Sequence, residues 1–558
     1  MTGSAHAPKA RFDWNAHARR MREAGLWQGR TVDDLLNDAV RRFPDKRALV
    51  AYRADAGTEA PVRTITFGEL GDMVDRAAGS MRKLGIGKCD VVGLMLPNWW
   101  EFAVASYAAG RIGAVVNPLM HIFRERELRF MLSFAETKAI VIPRTFRGFD
   151  FPAMLDALAP ELPALEHIIV VDDEGPRGFR PLLLDSGEAP VRYGDADGLA
   201  PGDLTLLMYT SGTTGTPKGV MHPAETLLAC CKALGDVFRL TPEDIHHGAM
   251  PFGHMNGYLA VMLQALYFGS TLTLQDVWDG HAACAITAAE KVTHMSGATP
   301  LLADMCRAVE SGAPRPQIRT YLCGGAQIPP KVIEDAWRLL GTGVSSLWGM
   351  TETLSGTLTE PERAMEKSVT TDGRPLEGVE VLIVDDEMNP LPTGTTGRLL
   401  TRGSQLCMGY YKRPDLWDLP PEGWFDTGDM AYLDDEGYLR IDGRTKDIII
   451  RGGENVPVLE IENILHRHPA VDDVALVGYP DERLGERACA FVVLKPGSSF
   501  DLNDMLGWMA KAGTARQYWP EQIEIIEQMP RNPSGKIQKF ILRDKAKKYA
   551  VPSERDRA

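Results

Sequence analysis

The strongest constraint on the fold is an alternation of short apolar runs with helical stretches between about residues 65 and 350. The apolar runs predict buried strands: DVVGLML (90–96), KAIVI (138–142), HIIVV (167–171), LTLLMY (204–209), STLTL (270–274) and RTYLCGG (319–325). Helical stretches separate several of them, such as WWEFAVASYAAGRIG (99–113) and KVIEDAWRLL (331–340). Buried strands that alternate with helices favour a large α/β domain with parallel sheets.

The pattern changes after residue 350. GVEVLIVDDEMNPLPTGTTGRLLTRG (378–403) predicts short strands joined by turns, and MAYLDDEGYLRI (430–441) predicts a hairpin. We interpret residues of about 355–442 as a small β-barrel-like subdomain of an N-terminal domain that spans 1–442. The last 110 residues or so predict a compact α+β domain, and the boundary is placed near Gly443.

Composition and charge exclude several classes of protein. The net charge of −14 and the pI of about 5.4 argue against non-specific nucleic-acid binding, which needs a basic surface. The first 20 residues lack the apolar core of a signal peptide. The stretch GYLAVMLQALYFG is too short to span a membrane and is interrupted by Gln264. None of the eight cysteines has metal-ligand spacing, which predicts reduced thiols and a cytoplasmic location.

The segment YTSGTTGTPKGV (209–220) predicts a loop that binds phosphate oxygens through backbone N–H groups and hydroxyls. It is not a Walker loop, because Gly219 follows Lys218 and the segment leads into a second strand, GVMH, instead of a helix. A plain polar turn is the alternative. The related TGTTG at 393–397 has no lysine, and we interpret it as such a turn.

Six further motifs follow that loop in a fixed order. They are MPFGHMNG (250–257), CGGA (323–326), WGMTE (348–352), WFDTGD (424–429), GRTKDIIIRGGENVPVLEIE (443–462) and PRNPSGKI (530–537). Together the motifs resemble the adenylate-forming enzymes, which include acyl-CoA synthetases, luciferases and the adenylation domains of peptide synthetases. The resemblance implies a hinge at 443–447, a small mobile C-terminal domain at 448–558, and an active site between the domains. It also implies ATP, Mg²⁺ and coenzyme A as cofactors.

The resemblance assigns most nucleotide contacts to the large domain. The phosphate loop would comprise Thr210, Ser211, Gly212, Thr213, Thr214 and Gly215, with charge added by Lys218. Glu352 and Thr210 would bind Mg²⁺, since a hard cation takes carboxylate and phosphate oxygens. The remaining nucleotide contacts would be Gly324, Gly325, Ala326, Trp348, Gly349, Met350, Thr351, Asp429 and Arg444. Trp348 would stack on adenine, or else pack in the core, and Asp429 would accept both ribose hydroxyls.

The resemblance assigns the small domain two roles, one in each successive half-reaction. Lys536 would bridge the carboxylate and the α-phosphate during formation of acyl-AMP, because one anion attacks another. Rotation about Lys446 would then remove Lys536 and bring Gly452 and Gly453 to the pantetheine channel. Coenzyme A would displace AMP in the second half-reaction.

The expected substrate is an apolar acid larger than propionate. The segment around His254 has no carboxylate for a substrate ammonium, which disfavours amino acids. His254 matches the gate of acyl-CoA synthetases, although a packed core histidine is the alternative. Gly349 replaces the tryptophan of acetyl-CoA synthetases and is expected to leave room for the acyl group. The predicted lining is His254, Tyr258, Met262, Thr299, Leu322, Gly349 and Met350.

The choice of acid rests on two N-terminal stretches. VNPLMHIFRERELRFML and PRTFRGFDF resemble cyclohexanecarboxylate–CoA ligases, while medium-chain fatty acids and benzoate-like acids remain alternatives. Two rival functions share the motifs: an acyl-AMP ligase that loads a carrier protein, and a non-catalytic ATP-binding regulator. The spacing of PRNPSGK (530–536) also resembles a bacterial acetylation site, which predicts a protein acetyltransferase and a deacetylase as partners acting on Lys536.

Overall fold

The fold was analysed in a computed structural model. It describes residues 11–196, 198–210, 217–325, 328–444, 449–451, 454–481, 484–514, 516–532 and 536–550. Within them, the architecture is mixed α/β, with two large sheets, a smaller four-stranded sheet and a separate C-terminal sheet. The α/β class predicted from the sequence is confirmed.

The largest sheet has nine strands and joins distant parts of the chain. In spatial order they are Arg374–Pro375, Leu354–Leu358, Val344–Met350, Thr320–Gly324, His294–Gly297, Ile245–Gly248, Thr271–Gln275, Arg47–Tyr52 and Arg63–Thr66. Its six central strands are mutually parallel, as buried apolar runs favour. The parallel strands place their carboxyl ends at one edge, where the segments around 250–257 and 348–352 begin.

The second sheet has seven strands and carries the flanks of the phosphate loop. Their spatial order is Gly409–Tyr410, Lys218–Pro223, Leu204–Thr210, Val115–Pro118, Val91–Leu94, Ala139–Pro143 and His167–Val171. Strands 204–210 and 218–223 pair antiparallel, so GVMH does continue as a strand after the loop. Thr145–Phe146 and Phe149–Asp150 form a separate two-stranded pair.

Helices cover the two large sheets. The α-helices of the large domain are Trp14–Glu23, Val32–Arg42, Phe67–Lys83, Trp100–Arg111, Glu125–Ala135, Phe151–Leu158, Ala224–Phe238, Gln264–Phe268, Gly280–Ala289, Thr299–Glu310, Pro330–Asp335 and Ala364–Lys367. Wider π-helical turns occupy Arg180–Leu184, Asn256–Leu263 and Ala336–Leu340. The helix 100–111 is buried on almost every face, which its lack of a polar stripe predicts.

The four-stranded sheet starts later than the sequence analysis expected. Its strands are Val379–Val384, Gly397–Gly403, Phe425–Leu433 and Leu439–Arg444. The segment 354–358 pairs instead with strand 344–350 and extends the nine-stranded sheet, because all five of its residues are buried there. The TGTTG segment at 393–397 includes an exposed turn between the first two strands, as predicted.

The C-terminal unit consists of a sheet flanked by helices. The strands are Ile449–Arg451, Glu454–Val456, Val471–Asp481, Gly485–Leu494 and Gln522–Ile525, and the α-helices are Val458–His466, Leu502–Lys511 and Lys539–Ala546. It has its own apolar clusters, centred on residues such as Ile461, Leu476 and Phe491. The predicted hinge at 443–447 and the domain limits remain predictions, since Lys446 lies outside the described residues.

Among the helices described here, none is both long and apolar enough to cross a membrane. All eight cysteines are free, and seven of them are buried.

Candidate active site

The phosphate loop is anchored by two paired strands. Lys218 pairs with Thr210 across the antiparallel ladder, so the loop leaves and re-enters the sheet at neighbouring positions. The Lys218 ammonium lies 4.6 Å from the centre of the Tyr410 ring. Five predicted loop residues lie outside the described part of the chain: Ser211, Gly212, Thr213, Thr214 and Gly215.

Glu352 is a buried carboxylate whose described hydrogen bond comes from a tyrosine. Its side chain belongs to a residue only 6% exposed, and the Tyr410 hydroxyl donates to its Oε1 at 2.8 Å. The oxygens of a buried carboxylate suit Mg²⁺, which prefers hard oxygen ligands. The residues present therefore fit the predicted cation.

A buried histidine fixes the turn that carries Glu352. One ring nitrogen of His222, Nε2, lies 2.7 Å from the carbonyl oxygen of Thr351, and Nδ1 lies 3.0 Å from Thr226 Oγ1. Burial lowers the pKa of His222 to about 4, which keeps the ring neutral at neutral pH. A neutral ring that donates to the Thr351 carbonyl holds this turn without adding charge beside the phosphate site.

A cavity of about 270 Å³ lies between the large domain and the C-terminal unit. The large domain contributes Gly325, Leu347, Trp348, Gly349, Asp372, Asp429 and Ile441, and the C-terminal unit contributes Val458, Glu462, His466, Lys536 and Lys539. The cavity thus contains several residues predicted to bind the nucleotide, together with the predicted catalytic lysine. Its position between the two units is the one that the sequence analysis expected.

Trp348 is packed into the four-stranded sheet, with 8% of its surface exposed. Its ring clusters with Ile383, Leu399, Ala431 and Leu439. The indole N–H donates to Asp429 Oδ2 at 2.9 Å, which orients the carboxylate predicted to bind ribose. Stacking of Trp348 on adenine therefore stays a prediction, while its contact with Asp429 is a second role that the motif did not suggest.

The structure corrects the explanation of Gly349, which was expected to leave room for the acyl group. A Cβ built at this position would come within 2.1 Å of the carbonyl oxygen of Leu354. Leu354 itself adopts a left-handed conformation with φ of 54°, which brings its carbonyl against the strand. The expected empty space at Gly349 is therefore occupied by backbone, and the glycine permits a close approach of two strands. Its place beside the acyl group remains a prediction.

The predicted acyl-pocket residues are only partly brought together. Tyr258, Met262 and Leu322 are buried in one apolar core, and Thr299 Oγ1 lies 3.7 Å from Cys323 Sγ on the strand of Leu322. Met350 is the exception, because it packs against a separate cluster formed by Leu406, Leu419 and Phe425. The pairing of this strand with Leu354–Leu358 is irregular between Trp348 and Gly349, just before Met350.

His254 lies two residues before the π-helical turn Asn256–Leu263, which carries Tyr258. The backbone carbonyl of His254 accepts from the Tyr258 N–H, and Tyr258 Oη lies 3.1 Å from Ser106 Oγ. Asn98 fixes the preceding segment: its amide donates to the carbonyls of Gly248 and Met250, and its Oδ1 accepts from the Phe252 N–H. These contacts set the position of His254 from the large domain alone.

Lys536, on the C-terminal unit, acts electrostatically on His254. Burial and, as the smaller cause, the charge of the Lys536 ammonium together lower the pKa of His254 to about 4. Lys536 is exposed and lies on a hairpin closed by Asn532, whose Oδ1 accepts from the Lys536 N–H at 2.8 Å. The structure thus brings together the two residues that the sequence analysis placed at the carboxylate of the substrate.

The hairpin of Lys536 is fixed to the C-terminal sheet by an ion pair. Arg531 Nη2 lies 2.6 Å from Asp473 Oδ2, and Arg531 and Ile537 form a β-bridge across the hairpin. Helix 539–546 follows at once, with Lys539 Nζ 2.8 Å from Glu462 Oε1. The position of Lys536 therefore depends on contacts within its own unit.

Several predicted site residues cannot be placed. Ala326, Lys446, Gly452 and Gly453 lie outside the described residues. For Arg444 the structure gives the backbone, which pairs with Asp429 between neighbouring strands. Gly324 ends the strand beside 344–350, and Gly325 follows it with a φ of 88° that favours glycine.

Sequence reasoning missed the residues that support the site: Tyr410, His222, Asn98 and Asp473. Each acts across a long separation in sequence, such as the 58 residues between Tyr410 and Glu352. The sequence carried one usable signal, the apolar strand GVMH, whose polar His222 breaks the pattern.

Comparison with protein families supports the expected class. The AMP-binding enzyme family matches residues 36–411, and the AMP-binding enzyme C-terminal domain matches residues 460–536. The first match alone covers more than half of the chain.

Individual relatives cover nearly the whole chain. The medium-chain fatty-acid–CoA ligase of Escherichia coli (strain K12) is 34% identical over 533 residues, which are 94% of this chain and 91% of that protein. The salicyl-AMP ligase / salicyl-S-ArCP synthetase of Mycobacterium tuberculosis is 33% identical, over 94% of this chain and 92% of its own. Among solved structures, ATP-bound MatB from Rhodopseudomonas palustris superposes with a TM-score of 0.82 at 25% identity, over 93% of this chain and 100% of that one.

Proposed function

The chain belongs to the AMP-binding enzyme family, and from that premise we propose that it is an AMP-forming acyl-CoA ligase for an apolar carboxylic acid. The observation that carries the proposal is the cavity between the two units, in which Asp429 and Lys536 face one volume. Glu352 adds a buried carboxylate at the predicted phosphate site. These groups suit a nucleotide and a second anion held together.

In the first half-reaction a carboxylate oxygen attacks the α-phosphorus of ATP, and the bond to pyrophosphate breaks. Lys536 supplies the positive charge that lets two anions approach, and His254 stays neutral beside it because its pKa is about 4. Bound Mg²⁺ would supply charge neutralisation on the phosphates. Glu352 would hold it there, with Thr210 beside it on the loop.

In the second half-reaction the thiol of coenzyme A attacks the acyl carbonyl and AMP leaves. This step needs Lys536 to withdraw, which the predicted rotation about Lys446 would provide. Free coenzyme A is the acceptor proposed here, and a carrier protein is the rival acceptor. Measuring thioester formation with each acceptor at equal concentration separates them, and a reaction confined to the carrier would overturn the proposal.

For the acid we propose cyclohexanecarboxylate, with medium-chain fatty acids and benzoate-like acids as the alternatives. The buried, uncharged side chains of Tyr258, Met262 and Leu322 support an apolar acid. Relatives whose names specify medium-chain fatty acids and salicylate support the two alternatives. Cyclohexanecarboxylate carries about five more carbons than acetate. At about 0.8 kcal/mol for each buried CH₂, this gives on the order of 10³-fold discrimination.

The test is AMP and pyrophosphate release across a panel from acetate through octanoate, cyclohexanecarboxylate and benzoate. We expect kcat/KM for cyclohexanecarboxylate to exceed that for acetate by about three orders of magnitude. Preference for acetate or propionate contradicts the apolar-acid assignment. Absence of acid-dependent AMP release with every acid would favour the non-catalytic regulator instead.

We further propose that acetylation of Lys536 regulates the enzyme. The exposure of Lys536 supports this, because an acetyltransferase needs access to the ammonium. Acetylation would remove the charge and block the first half-reaction while acyl-AMP is still converted to thioester. Mass spectrometry of protein from its native host, with deacetylase treatment of the purified enzyme, tests it. An unmodified Lys536 under every carbon source contradicts the proposal.

A further inference from the structure

A buried tyrosine lies between the two charged groups of the predicted phosphate site. Tyr410 is 5% exposed, and its hydroxyl donates to Glu352 Oε1 at 2.8 Å. The face of the same ring lies 4.6 Å from the Lys218 ammonium. The two contacts use different parts of one side chain, the hydroxyl for the anion and the π-face for the cation.

The backbone around Tyr410 connects the same elements. Tyr410 pairs with Val220 in the strand that begins at Lys218, and the Tyr411 N–H donates to the Gly219 carbonyl at 2.7 Å. The Cys407 N–H donates to the Glu352 carbonyl at 2.8 Å. The segment 407–411 therefore holds the exit of the phosphate loop and the turn of Glu352 at a fixed separation.

The ring of Tyr410 is itself held in place. Trp417 packs edge-on against it, with ring centres 5.4 Å apart and an interplanar angle of 88°. The ring therefore keeps the orientation in which its hydroxyl donates to Glu352.

We propose that Tyr410 is a positioning residue that orients Glu352 and Lys218 for magnesium-bound ATP. The inference rests on the proposed function, and adds a residue outside the motifs that carry the resemblance. With Oε1 of Glu352 engaged by Tyr410, the carboxylate keeps one orientation and presents its other oxygen. Loss of the hydroxyl would leave a buried oxygen without its donor, and the carboxylate would turn towards another partner.

Substitutions separate the two contacts. Tyr410→Phe removes the hydroxyl and keeps the ring over Lys218, whereas Tyr410→Leu removes both. The neighbouring Tyr411→Phe is the matched control, because the ring of Tyr411 lies near Lys412 and Phe134 and away from Glu352. Thermal unfolding without nucleotide shows whether each variant is folded.

The main experiment is calorimetric titration of ATP with Mg²⁺ present and with EDTA. For Tyr410→Phe we expect the affinity gained from Mg²⁺ to fall about 10-fold or more, since a hydrogen bond to a charged group is lost, while affinity in EDTA is unchanged. For Tyr410→Leu we expect an additional loss of about 2- to 10-fold in EDTA, from the contact with Lys218. Tyr411→Phe should match the wild type in both conditions.

A double-mutant comparison tests whether Tyr410 acts through Glu352. In a Glu352→Ala background, Tyr410→Phe should cause no further change in the Mg²⁺-dependent affinity. A further loss in that background overturns the inference, as does a folded Tyr410→Phe with the wild-type response to Mg²⁺. Failure of the wild type to bind ATP in either condition overturns the proposed function and the inference with it.

Discussion

The two sides of the cavity are built in opposite ways. In the large domain, Asp429 lines the cavity, and both Asp429 and Glu352 are buried and accept a hydrogen bond from a buried aromatic side chain, Trp348 or Tyr410. On the other side, Lys536 is exposed and sits on a hairpin. The groups predicted to bind ATP are held by buried contacts, while the cation predicted for chemistry lies on the unit that the resemblance predicts to be mobile. The groups that hold the nucleotide are needed in both half-reactions, so a rigid arrangement suits them. Lys536 is needed only in the first half-reaction, so a position from which it can be removed suits it.

The largest expected effect comes from removing the exposed cation. Lys536→Ala should lower the rate of acyl-AMP formation by about 10²–10³, because preorganised charge is lost from the transition state. Conversion of supplied acyl-AMP and coenzyme A to thioester should be unchanged. Rapid-quench assays of each half-reaction measure this, with the exposed Lys545→Ala as control. Equal losses of rate in the two half-reactions would contradict the assignment of Lys536 to acyl-AMP formation alone, and with it the proposed difference between the large domain and the C-terminal unit.

The next effect concerns the rigidity of the large-domain side. Gly349→Ala places a Cβ against the Leu354 carbonyl, so we expect a loss of about 1–3 kcal/mol in the free energy of unfolding. Substrate preference should not shift towards acetate. Gly110→Ala is the control, because its Cβ would meet nothing within 4 Å. Urea unfolding measures both, and an unchanged stability with altered acid preference would restore the empty-pocket interpretation.

Acidification should weaken the large domain through its buried histidines. Burial lowers the pKa of His246 to about 4 from 6.5, and neither of its ring nitrogens has a hydrogen-bond partner among the described residues. Between these two pH values the unfolded chain binds a proton that the folded chain does not, so stability falls as pH drops from 6.5 to 4. The expected loss is about 2 kcal/mol between pH 7 and pH 5 for this residue.

His246→Phe tests that expectation. The variant should lose about 2 kcal/mol less than the wild type on going from pH 7 to pH 5 in urea unfolding. His281→Ala, an exposed histidine, should keep the wild-type pH dependence. Equal pH dependence of wild type and His246→Phe would show that the ring is not buried in neutral form.

The smallest effect concerns the support of Lys536. Asp473→Asn removes the charge that holds Arg531, so we expect acyl-AMP formation to fall about 3- to 10-fold. Thioester formation from supplied acyl-AMP should be unaffected, which separates positioning of Lys536 from general instability. Asp544→Asn, at an exposed ion pair with Lys547, is the control. A loss confined to the second half-reaction would contradict this role for the ion pair.

The sequence predicts those strands and helices that have a clear local pattern of apolar residues. The run HIIVV forms a strand with the predicted bounds of 167–171, and LTLLMY extends by one residue to Thr210. The strand Arg47–Tyr52 was not predicted, and it pairs with Thr271–Gln275 across more than 200 residues. Pairing at that separation depends on the whole sheet, which no local pattern encodes.

The same limit explains the site. Charged residues such as Glu352 and Lys536 stand in motifs, so their roles could be proposed from the resemblance, and these roles stay predictions. Tyr410 and His222 act through contacts fixed by strand pairing, and neither residue type indicates its partner in advance. Position 349 requires a glycine because the Leu354 carbonyl oxygen lies where a Cβ would be. That close approach is visible only in the three-dimensional backbone.

The cavity of about 270 Å³ has walls from both units, with Asp429 on one side and Lys536 on the other. A stable acyl-adenylate mimic filling it would therefore act as a clamp between them. Such an inhibitor would hold the two units in one arrangement. Its residence time would then be set by domain opening, so that inhibitor design for this protein would target the motion as much as the pocket.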